Sequence, residues 1–207
     1  LKDRLRRSYP YITTSSPSEK QNGLLIASKN SFSVLDAPSD LDSERWLEVK
    51  VENLDLNILV VHIPGAPDNK FQDGYGISGE KRKQLFWDRI INHTEKYNGL
   101  NSIILGDFNT GLRIDAEGAM FKHSHYMKTL IESGFVDVWR NLNSDKKDYT
   151  YYSKRKDKTS NLSYDHNGFR RHYIFVSPKR KKYIQHARLI HELRKQQRSV
   201  HALVAAD

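Results

Sequence analysis

Two strand-like runs, residues 46–52 and 56–63, stand only three residues apart, and this spacing commits the middle of the chain to a hairpin. In the first run Leu47, Val49 and Val51 alternate with Trp46, Glu48, Lys50 and Glu52, the period-two pattern of a strand. The second run is largely apolar up to His62, and Asn53, Leu54 and Asp55 make the turn. Further strand candidates lie at residues 23–28, 102–105, 148–153, 172–177 and 202–205. Two segments have helical spacing instead. Residues 80–97 carry Leu85, Phe86, Ile90 and Ile91 on one face, with Ser78 placed to cap them, after a Gly/Pro/Asp-rich loop over residues 64–79. Residues 123–133 carry Tyr126, Met127, Leu130 and Ile131, with Gly134 as terminator. Strands outnumber helices and several sequence neighbours can pair antiparallel. The expected fold is therefore α/β, two packed sheets flanked by helices rather than a doubly wound parallel sheet. The 207 residues suit a single domain. Residues 154–167 are rich in charge and poor in apolar side chains, which predicts a mobile loop.

The segment from Ser102 to Gly111 is an apolar strand that ends by presenting Asp107 and Asn109 two residues apart. A rigid strand that delivers a carboxylate and a carboxamide to its exposed end suits chemistry on a phosphate or a metal. The same residue types also favour an ordinary turn. The formal net charge is +9, with basic clusters at residues 154–158, 170–171 and 179–182, interleaved with Tyr149, Tyr151, Tyr152 and Tyr173. Such clusters are either solvated loops or a face for a polyanion, nucleic acid above a membrane surface. The chain holds no cysteine, which excludes disulfides and thiolate metal sites and suits the cytoplasm. No apolar run approaches the roughly 18 residues of a membrane span. The first residues are polar and do not read as a secretory signal, and the lack of an initial Met predicts a piece upstream.

Three blocks taken together resemble a known family. Gly106-Asp107-Phe108-Asn109, then residues 168–178 around Arg170-Arg171-His172-Tyr173, then Ser199-Val200-His201-Ala202 are similar in order and spacing to the last three signature blocks of the endonuclease/exonuclease/phosphatase superfamily, which includes exonuclease III and deoxyribonuclease I. Residues 135–139 and 149–153 resemble the segment linking them. The resemblance implies a four-layer α/β-sandwich and divalent-metal-dependent phosphoester cleavage, with Mg2+ or Mn2+ held through Asp107 and Asn109. It implies that Asp107 activates or positions water, that Asn109 bonds the phosphate, and that His201 contacts the phosphate or moves a proton. His62 matches a further histidine of the deoxyribonuclease branch, and Arg170 and Tyr173 are substrate-binding candidates. Nucleic acid, DNA above RNA, is the implied partner.

The departures matter as much. His172 and Val200 stand where the family pattern has aspartates, and the first two blocks, an opening strand and a metal-binding glutamate, would precede Leu1. A valine cannot bind a cation, and a histidine cannot orient another histidine as a carboxylate does. The expectation is therefore a nuclease-type phosphodiesterase that is impaired or inactive, with weak or no metal binding. The alternative is a degenerate member that binds nucleic acid or protein without turnover. A missing opening strand further predicts an unpaired sheet edge, marginal stability, self-association, or a strand supplied by a partner chain.

Overall fold

The computed structural model describes residues 2–15, 17, 22–65 and 79–207, so Ser78 and most of the loop before the long helix lie outside the described residues. In chain order the elements are α1 (Lys2–Arg6), β1 (Tyr11–Thr14), β2 (Leu25–Ser28), β3 (Ser33–Leu35), β4 (Trp46–Val51), β5 (Leu56–His62), α2 (Gly79–Tyr97), β6 (Ser102–Asp107), α3 (Ser124–Glu132), β7 (Val136–Asp137), α4 (Val138–Leu142), β8 (Tyr151–Lys156), β9 (Ser163–Phe169), β10 (His172–Val176), β11 (Ala187–Ile190), α5 (Glu192–Lys195) and β12 (Leu203–Ala206). The fold is mixed α/β. Its main sheet runs β3-β4-β5-β6-β10-β7. The β4–β5 hairpin turns through Asp55, which adopts a left-handed φ of 44°. Among the described residues only β5 and β6 pair in parallel, and α2 supplies the crossover that a parallel pair requires.

Strand alternation splits the sheet into two unequal faces. Leu59, Val61, Ile104 and Phe175 are fully buried against Phe86, Trp87 and Ile90 of α2 and Met127 and Leu130 of α3. Burial of Phe86 or Ile90 contributes about 1.5–3 kcal/mol each. The Trp87 ring stacks on Tyr126 at 5.5 Å and its Nε1 donates to Thr110 Oγ1 at 3.2 Å, which locks α2 to α3 and to the end of β6. Glu48, expected from the alternation to face water, is buried on this side and bonds His93 Nε2 at 3.2 Å. The alternation of β4 marks two apolar environments, since Leu47 and Val49 pack with Ile26 of β2 on the other face.

That second face is only half covered. The pairs β1–β2 and β11–β12 lie over it as two separate two-stranded sheets. Residues of β2 and of β12 line two hollows whose floor is Ile58, Val60, Ile103, Leu105 and Ile174, all half-buried. The expected second sheet is thus present in two pieces with an apolar groove between them.

The expected mobile loop at residues 154–167 is instead part of an exposed hairpin, β8 paired antiparallel with β9. Its tip is shaped by Asp157, whose carboxylate accepts from the backbone N–H groups of Thr159 and Ser160 at 2.9 and 2.7 Å. The segment reads as polar because solvent bathes most of it, not because it lacks partners. Of the strands expected at 148–153 and 202–205, the first begins at Tyr151 and the second runs from Leu203 to Ala206.

Candidate active site at the ends of three strands

His62, Asp107 and His172 lie in one row across the sheet, because β5 aligns His62 with Asp107 and β10 aligns His172 with Asp107. Period-two alternation places all three on the half-covered face, at one end of the groove. Gly106 makes the row possible. Its φ of 139° suits glycine, and a Cβ there would lie 1.9 Å from the Val61 carbonyl oxygen. After Asp107 the chain turns sharply through Asn109, whose φ is 44°.

His201 completes the group from a distant part of the chain. It forms a bridge with Tyr151 just before β12, and its ring stacks on that of His172 with centroids 4.3 Å apart and planes 8° from parallel. All four residues line one cavity of about 490 Å³. His172 Nε2 lies 3.7 Å from Asp107 Oδ2, while Asp107 Oδ1 accepts the Asn109 backbone N–H at 2.8 Å. Asp107, His172 and His201 each offer a ligand atom within 4.8 Å of the others, the arrangement of a possible divalent-metal triad.

Burial raises the Asp107 carboxyl, but the hydrogen bond and charge of His172, the charge of His62 and the Asn109 N–H outweigh it and hold the group below the ordinary carboxylate range. Burial, then the charges of His172 and Arg171, push His201 down to about 4 against the opposing pull of Asp107. His201 is therefore a neutral imidazole at pH 7, and its Nδ1 is buried without a hydrogen-bond partner. Since the unfolded imidazole takes up a proton near 6.5 and the folded one near 4, the unfolded chain binds more protons between these values. Stability associated with His201 is thus present above about pH 6.5 and lost as the pH falls toward 4. Urea midpoints measured across that window are expected to fall on acidification and to flatten in His201→Gln. An unchanged slope in the variant would assign the effect elsewhere.

Not every expected residue is in the site. Arg170 and Tyr173, expected to bind substrate, are 1 % exposed. The Arg170 guanidinium is held by Asp115 through Nε at 2.8 Å and by both oxygens of Asp137. The Tyr173 hydroxyl donates to Asp115 Oδ2 at 3.1 Å. Both are structural, because two buried carboxylates need a cation and a donor. Val200 is 70 % exposed and borders a different hollow, with Asp165 and Arg194, so it is not brought to Asp107. Asp165 is itself paired with Lys154 and Arg194.

Asn109 is beside Asp107, with its Nδ2 donating to the Ile63 carbonyl at 2.9 Å. Two cations border it. Arg171, next to the buried Arg170, lies over the Tyr151 ring at 4.2 Å. Lys83, on α2, donates to the Asn109 carbonyl at 2.6 Å, and burial pushes its ammonium down to about 8 despite Asp107. Lys83 carries no sequence signal, since it reads as one charge among many on a helix. The basic cluster at residues 179–182 follows the far end of β10 and is remote from this row. His191, away from this row, is half-buried and bonds Asp148 at 2.9 Å.

Neither a family model nor a curated protein sequence matches this chain. Solved structures do. An AP endonuclease from Archaeoglobus fulgidus superposes with a TM-score of 0.80 and 20 % identity, covering 100 % of this chain and 81 % of the other. A 3'-5' exonuclease from Neisseria meningitidis gives 0.73 and 19 % identity over 95 % of this chain and 78 % of its own. A 3' phosphatase from Neisseria bound to product DNA hairpin gives 0.72 and 18 % over the same shares. The chain shares the fold of these nucleases and this phosphatase, which is the fold its three sequence blocks led one to expect. Among the described residues no helix is long and apolar enough to cross a membrane.

Proposed function

We propose that this chain is a nuclease-type hydrolase of phosphodiester bonds, DNA being the substrate, and that its turnover with Mg2+ or Mn2+ is weak. The observation that carries this reading is the row of His62, Asp107 and His172 at the ends of three adjacent strands, roofed by His201 and flanked by Lys83 and Arg171. Structural neighbours described as an AP endonuclease and as a 3' phosphatase bound to product DNA support the choice of substrate. In this reading Lys83 and Arg171 draw the non-bridging phosphate oxygens to the Asn109 side, where preset cations stabilise the charge that builds during hydrolysis. Asp107, held ionised, orients the attacking water. His201, neutral at pH 7 and lining the same cavity, takes or returns a proton.

Weak turnover follows from the donor set. Mg2+ prefers six oxygen ligands in near-octahedral array. Among the described residues the row presents one carboxylate with imidazoles, and the side-chain oxygen beside it is the carboxamide oxygen of Asn109, whose nitrogen donates to Ile63. One carboxylate and one carboxamide oxygen among imidazoles are a poor donor set for Mg2+. The test is nicking of supercoiled plasmid with Mg2+ or Mn2+, with and without EDTA. Slow, EDTA-sensitive nicking that disappears in Asp107→Asn is expected. Retention of DNA binding with no nicking by the folded chain would favour the degenerate, binding-only reading, for which the substitutions at positions 172 and 200 speak.

The half-covered groove belongs to the same proposal. Neither β2 nor β12 pairs with the other, and the floor between them is apolar. An extended segment with apolar residues at alternate positions would satisfy both edges, supplied by a partner chain or a second copy. Sedimentation is expected to reveal concentration-dependent association, together with binding of a dye specific for apolar surface. A monodisperse, cooperatively melting monomer that binds no dye would count against it.

A further inference from the structure

We propose that Asp107, His172 and His201 bind a nitrogen-preferring divalent ion of the Zn2+ and Co2+ class in preference to Mg2+. Among the described residues this is the group of histidines and acids whose ligand atoms converge, all within 4.8 Å of one another. Two imidazoles and one carboxylate suit Zn2+, Co2+, Ni2+ or Fe2+, whereas carboxylates, carbonyls and water suit Mg2+. The histidine at position 172 is what changes the class of the site, since it puts a ring nitrogen 3.7 Å from Asp107 Oδ2.

The ligands are also preset. Asp107 and His172 stand on paired strands in register, so their backbones are held by the sheet. The Asn109 N–H occupies Asp107 Oδ1 and leaves Oδ2 toward His172, the outer-shell orientation that metal carboxylates commonly have. The His172 and His201 rings stack with centroids 4.3 Å apart and line the same cavity, so a tilt of one ring lets both turn a nitrogen to one ion. The buried Nδ1 of His201 has no hydrogen-bond partner, a state that is unfavourable for a buried polar atom. His62 lines the same cavity and is the nearest further imidazole in the row.

This inference concerns the site of the proposed hydrolase but is read without nucleic acid, so its failure and the failure of that function are separable. The chain is titrated with Zn2+ and with Co2+ by calorimetry, in the presence and absence of excess Mg2+. Expected are one saturable site that Mg2+ does not displace, and affinity lowered at least about tenfold in His172→Asn and in His201→Asn. His186→Asn, at an exposed histidine beside Asp207, should bind like the parent. If either site variant loses its fold, the unaltered chain still decides the matter. Co2+ should shift or broaden the imidazole resonances of His172 and His201 and spare those of His186. Zn2+ affinity equal in all three variants, Co2+ effects spread over the exposed histidines, or displacement by Mg2+ would overturn the proposal.

Discussion

His172→Asp is expected to raise Mg2+-supported plasmid nicking by on the order of 10^3, while lowering Zn2+ affinity at least tenfold. In the parent chain the His201 ring faces another imidazole, and neither ring can accept and direct the other as a carboxylate can. A carboxylate at this position would take up a ring N–H of His201 and fix its tautomer, an effect worth about four orders of magnitude in a well-studied catalytic triad. It would also stand beside the Asp107 carboxylate. Two adjacent carboxylates repel unless a hard cation lies between them, so the same change that makes the pair unfavourable alone makes it a better Mg2+ ligand. The measurement is the initial nicking rate against Mg2+ concentration, with EDTA controls, beside Zn2+ calorimetry on the same protein. A folded variant whose nicking stays at the parent level would overturn the reading that His172 is what limits Mg2+ chemistry here. The exposed Val200, by contrast, borders a separate hollow, and Val200→Asp alone is expected to change the rate little.

Arg170→Met is expected to cost about 3–5 kcal/mol of stability, a large share of the roughly 5–15 kcal/mol that a domain ordinarily has. Arg170 is 1 % exposed and binds two buried carboxylates at once. Asp115 keeps Arg140 Nη2 at 2.6 Å and the Tyr173 hydroxyl when the guanidinium is removed. Among the described residues Asp137 keeps only its cap on α4, the Arg140 backbone N–H at 3.1 Å, and is left as a charge in a low-dielectric interior. Breaking a buried pair from one side is costly for this reason, even where the intact pair adds little. Urea unfolding read by tryptophan fluorescence measures it directly, since Trp139 lies 5.1 Å from the guanidinium. Arg171→Met, which removes a half-buried cation over Tyr151, should cost less than about 1 kcal/mol but weaken DNA binding. Equal costs for the two variants would refute the assignment of Arg170 to structure and Arg171 to the site.

The contrast between these neighbours shows how far the residues could be read in order along the chain. The blocks at 106–109, 168–178 and 199–202 led to the fold and to Asp107, His172 and His201 as one group. Alternation gives each strand two faces, because side-chain direction depends on parity alone, but it was the register of β5, β6 and β10 that put His62, Asp107 and His172 on the same one. The helices at residues 79–97 and 124–132 were legible for the same local reason. Burial of a charge is not local. Arg170 is inside because Asp115 and Asp137 reach it from 55 and 33 residues away, and nothing in Arg170-Arg171 says which arginine they will take. Lys83 meets the Asn109 carbonyl across 26 residues, and the Lys154–Asp165 pair joins two strands that read as one polar loop. By itself, then, the sequence determined the periodic elements and the absence of carboxylates at positions 172 and 200. The tertiary structure alone decided which charges are paired in the core, which border the site, and that the second face is covered from two sides with a groove between. Periodicity is a property of neighbouring residues, whereas the energy of a charge or an edge depends on which distant segment comes to meet it.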